Sequence, residues 1–327
     1  MLTEILTVVA GIALVLVLGE VIVRNAVALA HRYHLSGGFI GLTILSIGTS
    51  IPEIMTHVVA SLNIVQQPDS MDTLSALVVG ANIGSDIFQQ DFVLPLVGLI
   101  GTIVVVRSEL HEQVGALTAA AILLWLFSLG GLITRLEGLV LVVAYLTYLL
   151  FLARHNHLMD NIANNSDQPR RGRVWVQLGL ILLCFILVAF VTDRVVAAAV
   201  VLVKLLPLSA SFFGVLFIGI AAALPELSTA LVSIIKGEKE VSAGILIGSN
   251  VTNPLLGVGA GAVISGYTIP GVVIYYDLPV KIATAGLLYL FLLRHEDLNR
   301  REAYTLIVVF LLYLYGRNLL FPDDVPA

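Results

Sequence analysis

The chain reads Gly48-Thr-Ser-Ile-Pro-Glu53 near its start and Ala221-Ala-Ala-Leu-Pro-Glu226 in its second half. Each stretch places a glutamate directly after a proline inside an apolar run, and the two lie 173 residues apart. Each is followed by a glycine-rich match, Gly80-Ala-Asn-Ile-Gly-Ser85 and Gly244-Ile-Leu-Ile-Gly-Ser249, at an offset of 164 residues. The sequence therefore contains an internal repeat, whose second copy has a connection nine residues shorter.

The composition indicates a membrane protein. Of 327 residues, 58% are hydrophobic and only 12% are charged, whereas soluble domains carry about 25% charge. The apolar runs are continuous rather than alternating, which favours helices over the strands of a membrane barrel. The first run is longer than the apolar core of a signal peptide, so it is expected to remain as a span. The predicted fold is an all-α membrane protein with about ten transmembrane helices, over residues 2–28, 38–64, 74–105, 115–133, 137–153, 174–203, 210–235, 241–266, 278–293 and 303–320.

A polar stretch divides the spans five and five. The predicted organisation is a first repeat over 1–155, a linker over 156–173 and a second repeat over 174–327. Because five is odd, the second repeat must enter the membrane with the opposite orientation, giving two inverted five-helix repeats. Twelve lysines and arginines fall on the linker's side of the membrane and five, Lys281 among them, on the other. This bias predicts a cell-membrane protein with a cytoplasmic linker and both termini extracytoplasmic.

The remaining composition excludes several classes of protein. A net charge of −5 without a long basic tract gives no reason to expect a nucleic-acid partner. The single cysteine, Cys184, cannot form an intrachain disulfide, and no cysteine and histidine spacing suggests zinc. No motif of a hydrolase or metalloprotease is present, so an intramembrane enzyme has no support beyond the buried acids. The expected partners are the lipid bilayer and inorganic cations, with no cofactor and an oligomeric state that the sequence leaves open.

The two glutamates are the first candidates for function. A carboxylate within a membrane span is costly and needs a partner, a bound cation or a proton. The prolines before them, Pro52 and Pro225, each remove one backbone donor and free a carbonyl about one turn earlier. Carboxylates beside free carbonyls form a hard-oxygen site, suited to Ca²⁺ or Na⁺. Thr49 and Ser50 lie about one turn before Glu53 and add hydroxyl oxygens.

The spans that follow the two motifs are also polar. Glycines lie four apart at Gly80 and Gly84 and again at Gly244 and Gly248, and such spacing lets helices approach closely in lipid, which would bring the polar side chains toward the glutamates. Ser85 and Ser249 could instead be packing residues, and Asp86 and Asp91 could face a water-filled vestibule. The polar residues are Asn82, Ser85, Asp86, Gln89 and Asp91 in the first half and Ser249, Asn250, Thr252 and Asn253 in the second.

These paired motifs resemble those of the calcium/cation antiporter superfamily, the sodium/calcium exchanger group in particular, over nearly the whole chain. The resemblance implies exchange of Na⁺ for Ca²⁺ by alternating access, with no nucleotide and no covalent step. It implies central ligands at Glu53, Gln89, Glu226 and Asn253. It also implies hydroxyl and carbonyl ligands for sodium at Thr49, Ser50, Ser85 and Ser249.

The chain departs from the family pattern in its second repeat. Ala222 and Ala223 stand where the family shows threonine and serine, so one sodium site loses its hydroxyls. Gln89 and Asn253 are amides at positions where relatives carry shorter amides or carboxylates. Two certain carboxylates remain, and their two charges can balance one Ca²⁺.

His57 and the amides leave alternative ions open. His57 lies four residues after Glu53, and because histidine titrates near neutral pH, a Glu53–His57 pair could carry a proton. The alternative is a packed histidine bonded to the backbone. An H⁺-coupled exchanger, or one for another divalent ion such as Mg²⁺, is therefore the second hypothesis. A channel is also conceivable, but an inverted repeat with broken helices favours a carrier.

Overall fold

The computed structural model describes residues 2–33, 35–105, 107, 109–156, 171–203 and 219–321. Twelve helices lie in these ranges; seven of them are long and apolar enough to cross a membrane, and one bent pair, α2 with α3, makes an eighth. Counting each broken pair once gives ten helical segments. The first five segments are α1 (Leu2–Tyr33), α2 (Gly37–Thr49) with α3 (Ile51–Gln66), α4 (Pro68–Gly101), α5 (111–128) and α6 (Arg135–His155). The second five are α7 (Arg171–Val203), α8 (Gly219–Ala222) with α9 (Leu224–Ile235), α10 (Lys239–Ser265), α11 (Val273–His295) and α12 (Arg300–Leu320).

The helices confirm the predicted all-α membrane fold, with seven or eight membrane-crossing helices among the described residues where about ten were predicted. Most of the predicted linker, residues 157–170, lies outside the described residues, as does the part of the seventh predicted span before residue 219. Two short strands, β1 (Leu132–Ile133) and β2 (Tyr267–Thr268), pair antiparallel between membrane segments. They join the α5–α6 connection to the α10–α11 connection.

Burial separates the inner helices from the outer ones. In their most apolar stretches, 94% of α10 and 78% of α4 are buried, against 19% of α1 and 22% of α6. Outer helices expose large apolar side chains such as Leu136 and Tyr315, which suits contact with lipid tails rather than water. The glycine-rich α4 and α10 therefore form the centre of the molecule, as their polar content requires.

The proline motifs break two membrane segments at equivalent places. α2 and α3 meet at an angle of 44°, and the junction residue Ser50 has φ −82° and ψ 0°. Ala223 has nearly the same backbone angles, φ −79° and ψ 0°, between α8 and α9. A proline fits the first turn of a helix, where its missing N–H is not needed. Glu53 and Glu226 consequently both lie in the first turn of a helix, whose N-terminus favours negative charge.

Glycines bring the broken helix α2 of the first repeat against α10 of the second. A Cβ on Gly41 would lie 2.6 Å from the carbonyl oxygen of Val241 and 2.8 Å from the Cα of Gly244. A Cβ on Gly248 would lie 2.8 Å from the Cα of Leu42. These distances leave no room for a side chain, so the two backbones are in direct contact. The close approach predicted from the two glycine pairs is confirmed at Gly244 and Gly248 but not at Gly80, where a Cβ would meet nothing among the described residues within 4 Å.

Both central helices widen into a π-helical turn at equivalent positions. The turns span Gln89–Val93 in α4 and Asn253–Val258 in α10. Such turns are rare and commonly mark functional sites, because they redirect side chains and loosen the backbone ladder. The amides Gln89 and Asn253, which the sequence marked as ligand candidates, each begin one of these turns.

Candidate cation-binding site

The two repeat-related glutamates lie together in the protein interior. Glu226 is fully buried and Glu53 is 7% exposed. Glu53 lies within electrostatic reach of both Glu226 and Asp86. Among the described residues, none of the four oxygens of Glu53 and Glu226 has a hydrogen-bond partner. Buried polar atoms are nearly always paired, so these carboxylates make this place the candidate site for cations.

The site is built from both repeats. The side chains of Thr49 and Ser50, at the end of α2, lie next to the carboxylate of Glu226 on α9. The Ser50 hydroxyl has no hydrogen-bond partner within the described chain. The hydroxyls of the first repeat therefore add oxygens to the carboxylate of the second repeat. The corresponding residues of the second repeat, Ala222 and Ala223, can add none.

Gln89 connects the two central helices through serines. The Ser249 hydroxyl donates to Gln89 Oε1 at 2.5 Å, and Gln89 Nε2 donates to the Ser85 hydroxyl at 3.2 Å. All three side chains are fully buried. The structure thus brings these three predicted ligand residues together in one hydrogen-bonded chain.

Asn253 lies beside an ion pair that the sequence did not predict. Its Nδ2 donates to Asp86 Oδ1 at 2.9 Å, and its Oδ1 has no partner among the described residues. Asp86 Oδ2 accepts from the ammonium of Lys281 on α11, and both of these side chains are fully buried. The placement of Lys281 on the outer side of the membrane was therefore wrong. Lys281 lies within the predicted span 278–293, so the cost of intramembrane charge was the signal that could have found it.

Asp86 and Asp91 do not line a vestibule in this structure. Both are fully buried. Gln90 Nε2 donates to Asp91 Oδ1 at 3.1 Å, to the Thr284 hydroxyl at 2.7 Å and to the Lys281 carbonyl at 3.2 Å. The vestibule expectation failed because a carboxylate near a buried lysine does not need water to stabilise its charge.

His57 is held away from Glu53. Its Nδ1 lies 3.2 Å from the hydroxyl of Tyr267, which also accepts from Ser61 at 2.6 Å and donates to the His57 carbonyl at 2.9 Å. The Glu53–His57 pair is not formed, since neither Glu53 oxygen has a partner in the described part of the chain. The alternative of a packed histidine describes this arrangement better than a proton carrier does.

Two asparagines of the central helices have side-chain polar atoms without partners in the part of the chain that the structure describes. Asn82 has no hydrogen-bond partner for either side-chain polar atom within the described residues, and Asn250 has none for Oδ1. Both are buried on the central helices. A buried amide without partners is unusual, so these two asparagines are further candidates for contact with a bound ion.

Two broken helices, two π-turned helices and a buried acidic centre between them define a secondary transporter of the inverted-repeat class. The sequence agrees with this class. Residues 3–154 and 176–317 match the model of the sodium/calcium exchanger protein family, one match on each side of the linker. The chain belongs to this family, which is a family of integral membrane antiporters.

Several relatives extend over most of the chain. CaxA of Alkalimonas amylolytica is 29% identical over 96% of this chain and 98% of its own length. Sodium/calcium exchanger MaX1 of Methanosarcina acetivorans is 23% identical over 89% of this chain and 92% of its own. The solved structure of the sodium-calcium exchanger NCX_Mj matches with a TM-score of 0.79 at 20% identity, over 97% of this chain and 99% of that one. The structural match confirms the inverted-repeat fold.

Proposed function

We propose that the protein exchanges Ca²⁺ against Na⁺ by alternating access, using Glu53 and Glu226 as the central ligands. The observation that carries this proposal is the pair of buried carboxylates, at the junction of the two repeats, that have no hydrogen-bond partner within the described ranges. Two carboxylates offset the charge of one Ca²⁺, and the surrounding hydroxyl and amide oxygens suit Ca²⁺ and Na⁺ alike.

Exchange follows from the sharing of ligands. Ca²⁺ and Na⁺ would both need Glu53 and Glu226, so one ion must leave before the other binds. With neither ion bound, two unpaired carboxylates would remain in a region of low dielectric, which is costly to move or enclose. The change between the two access states is therefore favoured only when a cation neutralises the pair. No step requires a nucleotide, a covalent intermediate or an enzymatic reaction.

The first repeat contributes most of the remaining ligands. Thr49 and Ser50 are assigned to a sodium position beside Glu226, and Ser85 and Ser249 act through the hydrogen-bonded amide of Gln89. Asn253 contributes its Oδ1. The protein would lie in the cell membrane with both termini extracytoplasmic and the linker cytoplasmic. Of the five basic residues assigned to the outer side, Lys281 and Arg317 are buried in ion pairs, so at most three remain there and the charge bias persists.

The test is transport by purified protein in sealed vesicles. Ca²⁺ uptake is measured with an outward Na⁺ gradient, and in parallel with an outward H⁺ gradient at equal Na⁺ on both sides. The proposal expects uptake in the Na⁺ arm and none above protein-free vesicles in the H⁺ arm. Uptake in the H⁺ arm alone would replace Na⁺ by H⁺ as the coupling ion. Uptake in neither arm would remove Ca²⁺ as the substrate, and Mg²⁺ would then be tested in the same vesicles.

A further inference from the structure

A lysine ammonium lies at the edge of the cation site, where it is fully enclosed. Lys281 and Asp86 are both 0% exposed, and they form an ion pair between α11 and α4. A buried ion pair is not a strong source of stability, because desolvation of both charges offsets most of their attraction. The position of this pair beside Asn253 therefore calls for a reason other than stability.

The ion pair removes Asp86 from the set of available ligands. Its Oδ2 accepts from Lys281 and its Oδ1 accepts from Asn253 Nδ2 at 2.9 Å. An inorganic cation could use Asp86 only by displacing one of these donors. The oxygens of Glu53 and Glu226, in contrast, have no donors within the described residues. One carboxylate near the site thus already has a cation, and that cation is part of the protein.

We propose that Lys281 is a built-in counter-cation that takes the place of one transported monovalent cation, so that fewer Na⁺ ions are exchanged per Ca²⁺. The proposal rests on the proposed function and names its ion stoichiometry. Glu53 interacts electrostatically with Asp86 as well as with Glu226, so the charge of Asp86 belongs to the same field. Without the ammonium, that field would contain one more uncompensated negative charge, and a mobile monovalent cation would have to supply the compensation.

Further contacts within the protein fix the position of Lys281. The backbone carbonyl of Lys281 accepts from Gln90 Nε2, which also contacts Asp91 and Thr284. Asp91 interacts with Lys281 as well. Asp91 is unchanged in every variant described below. Each single variant therefore still differs from the wild type by one charge. A fixed ammonium, unlike a sodium ion, cannot leave when the site opens.

The second repeat points independently to a reduced capacity for monovalent ions. Thr49 and Ser50 of the first repeat correspond to Ala222 and Ala223, which have no side-chain oxygen. A sodium ion beside Glu53 would therefore lack the hydroxyls that are present beside Glu226. One position for a monovalent ion is poor in ligands, and a second is filled by Lys281.

The test compares proteins that differ by one buried charge. Lys281→Met removes the ammonium, Asp86→Asn removes its partner, and the double variant removes both. A neutral replacement of both partners of a buried pair is commonly well tolerated, so the double variant is expected to fold. The matched control is the buried pair of Arg317 and Asp277, changed in the same three ways. Binding of radioactive Na⁺ per protein is measured by equilibrium dialysis in detergent, where no transport is needed.

Lys281→Met should bind one more Na⁺ than the wild type, Asp86→Asn one fewer, and the double variant the same number. The Arg317 and Asp277 variants should not change the number. In vesicles with the membrane potential held at zero, the equilibrium Ca²⁺ ratio scales as the Na⁺ ratio raised to the number of Na⁺ ions per Ca²⁺. Lys281→Met should therefore increase the Ca²⁺ ratio by one further factor of the Na⁺ ratio.

Equal Na⁺ binding in all of the Lys281 and Asp86 variants would overturn the proposal. If Lys281→Met does not fold, Asp86→Asn and the double variant still decide it, because they predict different numbers. The proposed function can fail separately: wild-type vesicles would show no Na⁺-driven Ca²⁺ uptake, while the variants still bound different numbers of Na⁺.

Discussion

The two repeats have nearly the same backbone at the site and different side chains around it. Each has a broken segment with a proline and glutamate in the first turn after the break, and each has a π-helical turn that begins at an amide. The residues before the prolines differ, since Gly48, Thr49 and Ser50 correspond to alanines at 221, 222 and 223. The geometry that places the two glutamates is preserved, whereas the hydroxyls that precede the proline are present in the first repeat only.

The amides show a reciprocal connection between the repeats. Gln89 of the first repeat accepts from Ser249 of the second, and Asn253 of the second donates to Asp86 of the first. The longer side chain reaches a neutral serine, and the shorter one reaches a carboxylate that is already paired with Lys281. Each amide thus ties α4 to α10, but only the second repeat's amide contacts a charged group. The comparison predicts equal roles for the glutamates and unequal roles for everything around them.

The largest expected effect comes from the residues that the repeats share. Glu53→Gln and Glu226→Gln should each abolish Ca²⁺ exchange, and to the same extent, because each removes one of two charges that balance Ca²⁺. Two unit charges about 4 Å apart attract by about 4 kcal/mol at an effective dielectric constant of about 20, and Ca²⁺ carries two charges, so Ca²⁺ affinity should fall by at least about 1,000-fold. Radioactive Ca²⁺ uptake into vesicles and Ca²⁺ binding in detergent measure the two quantities.

Glu302 provides the matched control for this pair. It is a buried glutamate on α12, and its carboxylate accepts from the backbone N–H of Asn299 at 3.1 Å in a helix cap. Glutamine can fill the same capping position, so Glu302→Gln should retain exchange. If only one of the two site variants lost Ca²⁺ binding, the equal sharing of charge between the repeats would be wrong.

A smaller effect is expected when Gly48 is made like its counterpart Ala221. A Cβ at position 48 would lie 2.0 Å from Cε2 of Phe185, an aromatic residue of α7 that packs over the start of the motif. The overlap forces the ring to move, at a cost of about 1–3 kcal/mol for an overpacked core. Gly48→Ala should slow exchange and lower the melting temperature. The double variant Gly48→Ala with Phe185→Leu should recover both, and failure to recover would show that the glycine is needed for another reason.

The sequence predicted the parts of the fold that follow from the order of apolar runs, prolines and glycines along the chain. The apolar runs predicted where the membrane helices lie. The prolines predicted the helix breaks, and Gly244 and Gly248 predicted the close contact of α2 with α10. The sequence did not predict the ion pair of Lys281 with Asp86 or the bond of His57 to Tyr267, because both join residues about 200 positions apart. Counting lysines by predicted side of the membrane also assigned Lys281 to the surface. Pairing across the core depends on which helix faces meet, and one sequence does not contain that information.

The hydroxyl asymmetry should produce a moderate effect that differs between the repeats. Thr49→Ala with Ser50→Ala makes the first repeat like the second and should weaken Na⁺ binding by about tenfold, the effect of losing one interaction with a charged group. Ala222→Thr with Ala223→Ser makes the second repeat like the first and should strengthen Na⁺ binding by a few-fold. Ca²⁺ uptake at varied Na⁺ measures both. Unchanged Na⁺ dependence in both variants would show that these positions are not sodium ligands.

The smallest effect on transport is expected at His57, whose counterpart in the second repeat is Ala230. Its Nδ1 is engaged by Tyr267, and it is fully enclosed, so it is not placed to exchange protons with Glu53. His57→Ala should therefore leave the pH dependence of Ca²⁺ exchange unchanged in shape, while loss of the hydrogen bond and of packing lowers the free energy of unfolding by about 1–3 kcal/mol. Tyr267→Phe removes the shared hydroxyl and should reproduce the loss of stability without altering the pH profile. A profile that flattened in His57→Ala but not in Tyr267→Phe would make this histidine a proton carrier, and the first repeat would then have a coupling role that the second repeat cannot have.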